Sequence, residues 1–333
     1  MNSIDQNNST SEENNIGRFL FVGRAPLKHQ LEKFAKQLQN SYLFTGPPGA
    51  GKFDLAMYFA RTILCPKQGC GTCSDCRAIA QGVHRDLTVL SRSGNFIEVG
   101  DVRAALMFAT QKPVSSSHQI VLIPEIHLAQ RAAPMLLKTV EEPPIATIFI
   151  FTAESIQGEI VPIASRCIQV EIPRLSEIGI RAFLDTFETP PSNIETIVAG
   201  SMGRLDFARW LASSEDLLKY LKRWEAVLSS APTTPWQLSE LAQQLEPIPM
   251  ESTNIEDTKA ATKRRRNETD QIIMALNYLL WSILKSRPIN SHLASQARQL
   301  ISQAVSSLQL NISYSLVVRE LIFSLSQISE SEK

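Results

Sequence analysis

Up to about residue 172, short apolar β-prone runs alternate with amphipathic stretches. Strands are expected over Ser41–Thr45, Leu87–Leu90, Gln119–Ile123, Ala146–Thr152 and Ile168–Ile172. Helices are expected between them, over Leu27–Gln39, Asp54–Leu64, Val102–Thr110 and Ala132–Glu141. In the second of these helices Leu55, Phe59 and Ile63 recur at four-residue spacing and line one face. Strands alternating with helices of this length imply a mostly parallel sheet covered on both faces. After Pro173 the strand signal fades. Ser176–Glu188 and Ile194–Ala212 read as helices separated by the breaker Thr189-Pro190-Pro191. Asp216–Leu228, Thr234–Leu245, Glu268–Lys285, Asn290–Leu308 and Ser313–Ser326 also read as helix, so the fold class is α/β followed by all-α. A polar stretch, Glu251–Asn267, carries Lys263-Arg264-Arg265-Arg266 and is expected to be a solvated loop; a nucleic-acid contact is the lesser alternative.

The charge balance narrows the function classes. With 33 Lys+Arg against 33 Asp+Glu in 333 residues, the formal net charge is zero. A uniformly basic nucleic-acid binder is excluded, and any such contact must come from a local patch or from partners. The length suggests two or three domains. Met1–Asn15 is polar, without the basic start and apolar core of a secretory signal, and residues 1–16 read as a flexible tail. No run approaches the roughly 18 uncharged apolar residues of a spanning helix, so a cytoplasmic location without membrane contact is expected.

Gly46-Pro47-Pro48-Gly49-Ala50-Gly51-Lys52-Phe53 follows an expected strand and opens an expected helix, the setting a phosphate-binding loop requires. Gly46, Gly49 and Gly51 let backbone N–H groups turn toward an anion, and Lys52 would reach the β- and γ-phosphates. The next position should be Ser or Thr, whose hydroxyl holds Mg²⁺, yet it is Phe53, which has no oxygen to offer. These residues leave open whether ATP occupies the loop; efficient hydrolysis is not expected. The alternative is a glycine-rich turn that binds nothing.

A second defect strikes the same metal. Ile120-Val121-Leu122-Ile123 ends in Pro124-Glu125-Ile126-His127, where phosphate-loop ATPases carry an Asp-Glu pair. Pro124 stands in place of the metal-associated Asp, while Glu125 keeps the position of a water-activating base or is simply a carboxylate at a strand end. His127 reads as a polar residue near a helix start. Mg²⁺ is not expected.

Cys65, Cys70, Cys73 and Cys76 form a C-x4-C-x2-C-x2-C array. Four thiolates this close can surround one tetrahedral Zn²⁺ and leave no position for water, which makes the site structural. An iron–sulfur cluster or two disulfides compete with zinc, but disulfides suit a reducing compartment poorly. The fifth cysteine, Cys167, is far along the chain.

Ser165-Arg166-Cys167 precedes the last expected strand. Multimeric ATPases complete each site with an arginine from a neighbour, which stabilises charge on the transferring phosphoryl group. An arginine alone would mean little; its place after the loop and the acidic motif gives it weight.

The order of these features, together with Leu136-Leu137-Lys138-Thr139-Val140-Glu141-Glu142-Pro143-Pro144, resembles the bacterial DNA polymerase III clamp loader, an AAA+ family. The resemblance covers essentially the full length, although only the first two-thirds has motifs. It implies an AAA+ phosphate-loop module with a parallel sheet at 17–172, bearing a zinc module at 65–76. A small helical lid at 173–212 and a helical collar at 213–333, with its polar loop at 251–267, would follow. The losses at Phe53 and Pro124 resemble the delta-prime class of subunit rather than the motor subunits. By that resemblance Cys65, Cys70, Cys73 and Cys76 hold zinc, Arg166 is a finger directed at ATP bound by the adjacent subunit, and Arg204 of Gly200-Ser201-Met202-Gly203-Arg204 loosely matches a nucleotide sensor. The implied role is a non-hydrolysing scaffold within the polymerase III holoenzyme, a nucleotidyltransferase complex. Its partners would be the delta and gamma/tau subunits of a pentameric ring, the sliding clamp and primed DNA. The alternatives are an active ATPase motor subunit and a zinc-bearing nucleic-acid adaptor.

Overall fold

A computed structural model of the chain describes residues 20–90, 96–187, 191, 193–225, 235–249, 258–286, 292–310 and 312–330. The tail expected at 1–16, the first part of the polar loop (251–257) and the breaker at 189–190 lie outside them. Contacts group the chain into two units, one of residues 1–190 with 203–205, the other of 191–202 with 206–333. The segment 173–212 expected as a lid is divided between them.

The first unit is built on five parallel strands: β1 (Ser41–Thr45), β2 (Leu87–Val89), β3 (Gln119–Ile123), β4 (Thr147–Ala153) and β5 (Ile168–Glu171), in the order β2-β3-β4-β1-β5. β1 is fixed between its neighbours by the pairings Leu43↔Phe151 and Leu43↔Gln169. Every residue of β3 and β4 is buried, which is why both read as continuous apolar runs rather than as alternating ones. Around the sheet lie α1 (Ala25–Lys36), α2 (Lys52–Leu64), α3 (Ser74–Ala80), α4 (Val99–Ala109), α5 (Ala133–Glu141), the short α6 (Val161–Ala164) and α7 (Glu177–Leu184). Helix α2 buries Leu55 and Phe59, and Phe59 meets the Tyr42 ring edge-on at 4.8 Å. A second layer packs Val102, Ala105, Leu136 and Val140 into one cluster with Val121, Phe149 and Phe151.

The second unit is helical. It comprises α8 (Ile194–Ser201), α9 (Leu205–Ser213, its first residue grouped with the sheet unit), α10 (Glu215–Arg223), α11 (Pro235–Gln244), α12 (Thr258–Ser286), α13 (His292–Gln309) and α14 (Tyr314–Glu330). Trp224 and Tyr220 are fully buried, and the Tyr220 hydroxyl donates to Leu245 O at 3.0 Å. Gln271 on α12, 1% exposed, uses its amide to accept from Ile248 N–H and donate to Ile248 O, at 2.8 and 3.1 Å. Among the described residues no helix is long and apolar enough to cross a membrane.

Three expectations are corrected. The helix expected over Ile194–Ala212 is two helices, broken where Met202 and Gly203 take left-handed φ of 47° and 77°. The break brings Gly203 against residue 175: its carbonyl accepts from Leu175 N–H, and a Cβ there would lie 2.3 Å from Leu175 O. The solvated loop expected at 251–267 is helical from Thr258 onward, because 258–267 contains neither Gly nor Pro and Ala260, Ala261, Lys259 and the arginines favour helix. Exposed Arg264 pairs with Glu268 one turn on, at 2.9 Å. Finally, helix α3, within and beyond the cysteine array, was not expected at all.

Candidate functional site

The loop between β1 and α2 has the form its glycines imply. Gly46 has φ 153°, and a Cβ on it would meet Ile172 O at 2.1 Å, so no other residue fits there. Gly49 and Gly51 adopt left-handed φ of 72° and 79°, and Gly51 caps α2. Lys52 opens the helix, is 8% exposed, and donates from Nζ to Gly46 O (2.7 Å) and Pro47 O (2.9 Å). Its ammonium therefore lies over the loop's own carbonyls. Phe53 is 44% exposed and offers the loop only a ring. Leu205 N–H donates to Gly49 O at 2.8 Å, which brings buried Arg204 into the neighbourhood of the loop. Arg24, at the N-cap of α1, was missed by sequence reasoning. Its Nη2 donates to Ala50 O at 3.0 Å, inside the loop, and to Pro173 O. Burial pulls this guanidinium down to about 10, so it remains charged at neutral pH.

At the end of β3, Pro124 presents neither N–H nor carboxylate. Glu125 holds a left-handed φ of 49°, and its N–H donates to Thr152 Oγ1 on β4 at 2.9 Å. His127 is half-buried, and its Nδ1 has no hydrogen-bond partner among the described residues.

The four cysteines converge. Cys65 closes α2, left-handed Gln68, Gly69 and Gly71 turn the chain, Cys73 caps α3, and Cys76 sits in its first turn. All four sulfurs lie within 4.8 Å of one another, with Cys65–Cys70 at 3.8 Å and Cys65–Cys73 at 3.6 Å. A tetrahedral ion with Zn–S bonds of about 2.3 Å needs sulfurs about 3.8 Å apart, so the donor set fits a metal such as zinc. Donors surround the sulfurs: Lys67 N–H to Cys65, Gly71 N–H to Cys76, Cys76 N–H to Cys73, and the Thr72 hydroxyl to Cys70. The N–H and hydroxyl of Thr72 hold Cys70 down at about 6. Burial would raise Cys65, but the N–H groups of Cys70, Lys67 and Gly69 outweigh it and lower it. Burial and the neighbouring sulfurs push Cys76 up. Four anions this close repel one another, and a divalent cation removes that conflict. Cys167, by contrast, is pushed up to about 12 by burial and takes no part.

Beneath this module lies a set that sequence reasoning also missed. His84 Nδ1 accepts from Asp86 N–H at 3.1 Å, which puts the ring proton on Nε2, facing Asp75 at 3.7 Å. The Asp86 carboxylate accepts from the N–H groups of Val114, Ser115 and Ser116 at 2.6, 2.8 and 2.7 Å and from the Ser115 hydroxyl at 2.9 Å. Burial works against its charge, yet these donors win and hold the carboxyl below its ordinary value.

Arg166 stands on the surface, after α6. Its side chain is 42% exposed and pairs through Nη2 with Glu141 Oε1 at 2.6 Å, while Nη1 donates to Pro162 O at 3.0 Å and Ser165 Oγ at 3.2 Å. Glu141 belongs to the Leu-Leu-Lys-Thr-Val-Glu-Glu-Pro-Pro string, so two motifs far apart in sequence meet at one guanidinium.

A parallel sheet in this strand order, with a glycine loop at the end of β1, between β4 and β5, defines an AAA+-type phosphate-loop module. Residues 25–176 match the family model described as "DNA polymerase III, delta subunit", and this module belongs to the DNA polymerase III clamp-loader subunit family. The chain is similar to the DNA polymerase III subunit tau/gamma of Haemophilus influenzae, 35% identical over 153 residues, which is 44% of this chain and 22% of that one. It is also similar to the DNA polymerase III subunit delta' of Pseudomonas aeruginosa, 33% identical over 144 residues, 41% of this chain and 44% of that one. The matches thus span less than half of these curated relatives. Among solved structures, a DNA polymerase III gamma subunit-related protein of Thermotoga maritima superimposes with a TM-score of 0.50 at 15% identity, over 90% of this chain and 99% of that one, which bears on the fold alone.

Proposed function

We propose that the chain is a delta-prime-like subunit of the DNA polymerase III clamp loader. In this reading it does not turn over ATP itself but presents Arg166 to ATP bound by a neighbouring motor subunit. The observation that carries the reading is a pairing of loss and retention. Both positions that should grip Mg²⁺ are Phe53 and Pro124, while Arg166 stands exposed and held by three anchors. A guanidinium so held needs little reorganisation to meet an incoming γ-phosphate. Zn²⁺ at Cys65, Cys70, Cys73 and Cys76 would be structural, fixing the turn between α2 and α3. The partners are the delta and gamma/tau subunits of a pentameric ring, the sliding clamp and, through the complex, primed DNA. The helical unit would serve as the collar, and the working place would be the cytoplasm.

The test is reconstitution. The isolated chain should show no ATPase, and adding it to motor subunits should raise DNA- and clamp-dependent ATPase; Arg166→Ala should lower that activity by the share of the one site this chain would complete, while the complex still assembles. Unchanged activity with Arg166→Ala removes the finger. One observation favours a second reading, an active motor subunit: the glycine loop and Lys52 are intact, as that reading requires. Turnover by the pure chain, lost in Lys52→Ala, would support it.

A further inference from the structure

The string Leu136-Leu137-Lys138-Thr139-Val140-Glu141-Glu142-Pro143-Pro144 carries a carboxylate that its own helix does not need. Glu141 is the last residue of α5, where the helix's unpaired carbonyls make a negative charge unfavourable. Leu136 and Val140 of the same helix are buried in the core cluster, so the backbone that carries Glu141 is fixed. The carboxylate meets Arg166 instead, with Oε1 at 2.6 Å from Nη2. The other two anchors of Arg166 are of a different kind. Pro162 O and Ser165 Oγ accept from Nη1, and the Ser165 hydroxyl itself donates to Pro162 O at 2.8 Å. Both belong to the turn that carries Arg166 and travel with it. Among the described residues, Glu141 alone ties the guanidinium to another element. Both partners are 42% exposed, so the pair does little for stability; what it fixes is a direction.

From this arrangement we infer that Glu141 is a positioning residue of the finger: it holds the guanidinium against α5, so that the group is already directed when a neighbour's ATP arrives. The inference rests on the reading of Arg166 as a finger, and it gives the first glutamate of the string a part in the neighbour's reaction. In this role Glu141 acts through Arg166 and not on the nucleotide. An arginine left to rotate would have to be ordered at each turnover, and that ordering is subtracted from the stabilisation it gives the developing charge. Losing the carboxylate therefore slows the chemical step without weakening ATP binding.

The reconstituted complex tests this, with clamp- and DNA-dependent ATPase measured for the wild-type chain, Glu141→Ala, Glu141→Gln, Arg166→Ala and the Glu141→Ala/Arg166→Ala double variant. The turnover that Arg166→Ala removes is the finger's share. Glu141→Ala should cut that share about two- to fivefold, the range an exposed ion pair can supply, through kcat and with the KM for ATP unchanged. Glu141→Gln, which keeps the shape and loses the charge, should do the same. In the double variant Glu141→Ala should cost nothing further, since the group it positions is gone. A full share in Glu141→Ala or Glu141→Gln overturns the inference, as does a gain in either, which would make Glu141 a restraint on the finger. An equal further loss in the double variant also overturns it, by giving Glu141 a contact of its own. The finger reading fails separately, on Arg166→Ala alone: if that variant keeps full activity there is no share to divide, and the inference falls with it.

Discussion

At the scale of single residues, Asp86 illustrates how a charge survives burial. It is 1% exposed, and four donors converge on its carboxylate, three of them consecutive N–H groups of the segment before β3. The same segment reaches back through the Ser116 hydroxyl to Leu64 O, next to Cys65. Replacing the acceptor strands those N–H groups, so Asp86→Ala should destabilise the fold by about 3 kcal/mol in urea unfolding. The pH dependence has a definite sign. A carboxyl held below its ordinary value of 3.8 contributes fully above that pH. The contribution is lost as pH falls through the lower folded-state value, and acid unfolding of Asp86→Ala should be correspondingly shallower in that window. A wild-type stability that is flat from pH 5 down to pH 2 would contradict this account.

At the scale of elements, the glycines separate packing from backbone strain. Gly46 and Gly203 both have positive φ and would drive a Cβ to 2.1 and 2.3 Å from backbone oxygens. Gly158 has φ 58° with nothing within 4 Å of a built Cβ. Gly158→Ala should therefore cost only the left-handed penalty, about 1 kcal/mol, whereas Gly203→Ala should cost more than about 3 kcal/mol in thermal or urea unfolding. The cysteine module makes a second prediction at this scale. Protein purified without chelator should carry one metal ion per chain by elemental analysis, and Cys76→Ser, which removes a buried ligand, should lose the ion and lower the melting temperature. How far these elements could be read from sequence depended on how local their cause is. β3 and β4 were legible because full burial leaves an unbroken apolar run, and the phosphate loop and cysteine array because their parts are contiguous. Helix α3 was not, since seven residues beginning on a cysteine cap show no period. The break at Met202–Gly203 was hidden because its reason, the approach to Leu175, lies elsewhere in the chain. Arg24 and Asp86 were invisible for the same cause: their partners are 26 and 28 or more residues away.

At the scale of the whole molecule, Arg166 has no evident work to do within its own chain. Its ion pair with Glu141 is exposed on both sides, and such a pair adds little to stability. Arg166→Ala should accordingly shift unfolding by no more than about 0.5 kcal/mol. Its effect should appear only in an assembly, at the one nucleotide site that this chain would complete. Because a finger acts on charge that develops during phosphoryl transfer, the loss there should fall on kcat and leave ATP affinity nearly unchanged. Arg166→Lys sharpens the distinction: it restores charge but not the planar fork, so it should recover part of the rate if charge matters and very little if bidentate geometry matters. Sites completed by other subunits should keep their activity, so total turnover falls only by the share of one site. A loss of ATP affinity, or a loss of assembly, would instead make Arg166 a contact residue of the interface. Equal stability, intact assembly and a fall in kcat together are the pattern that only a finger produces.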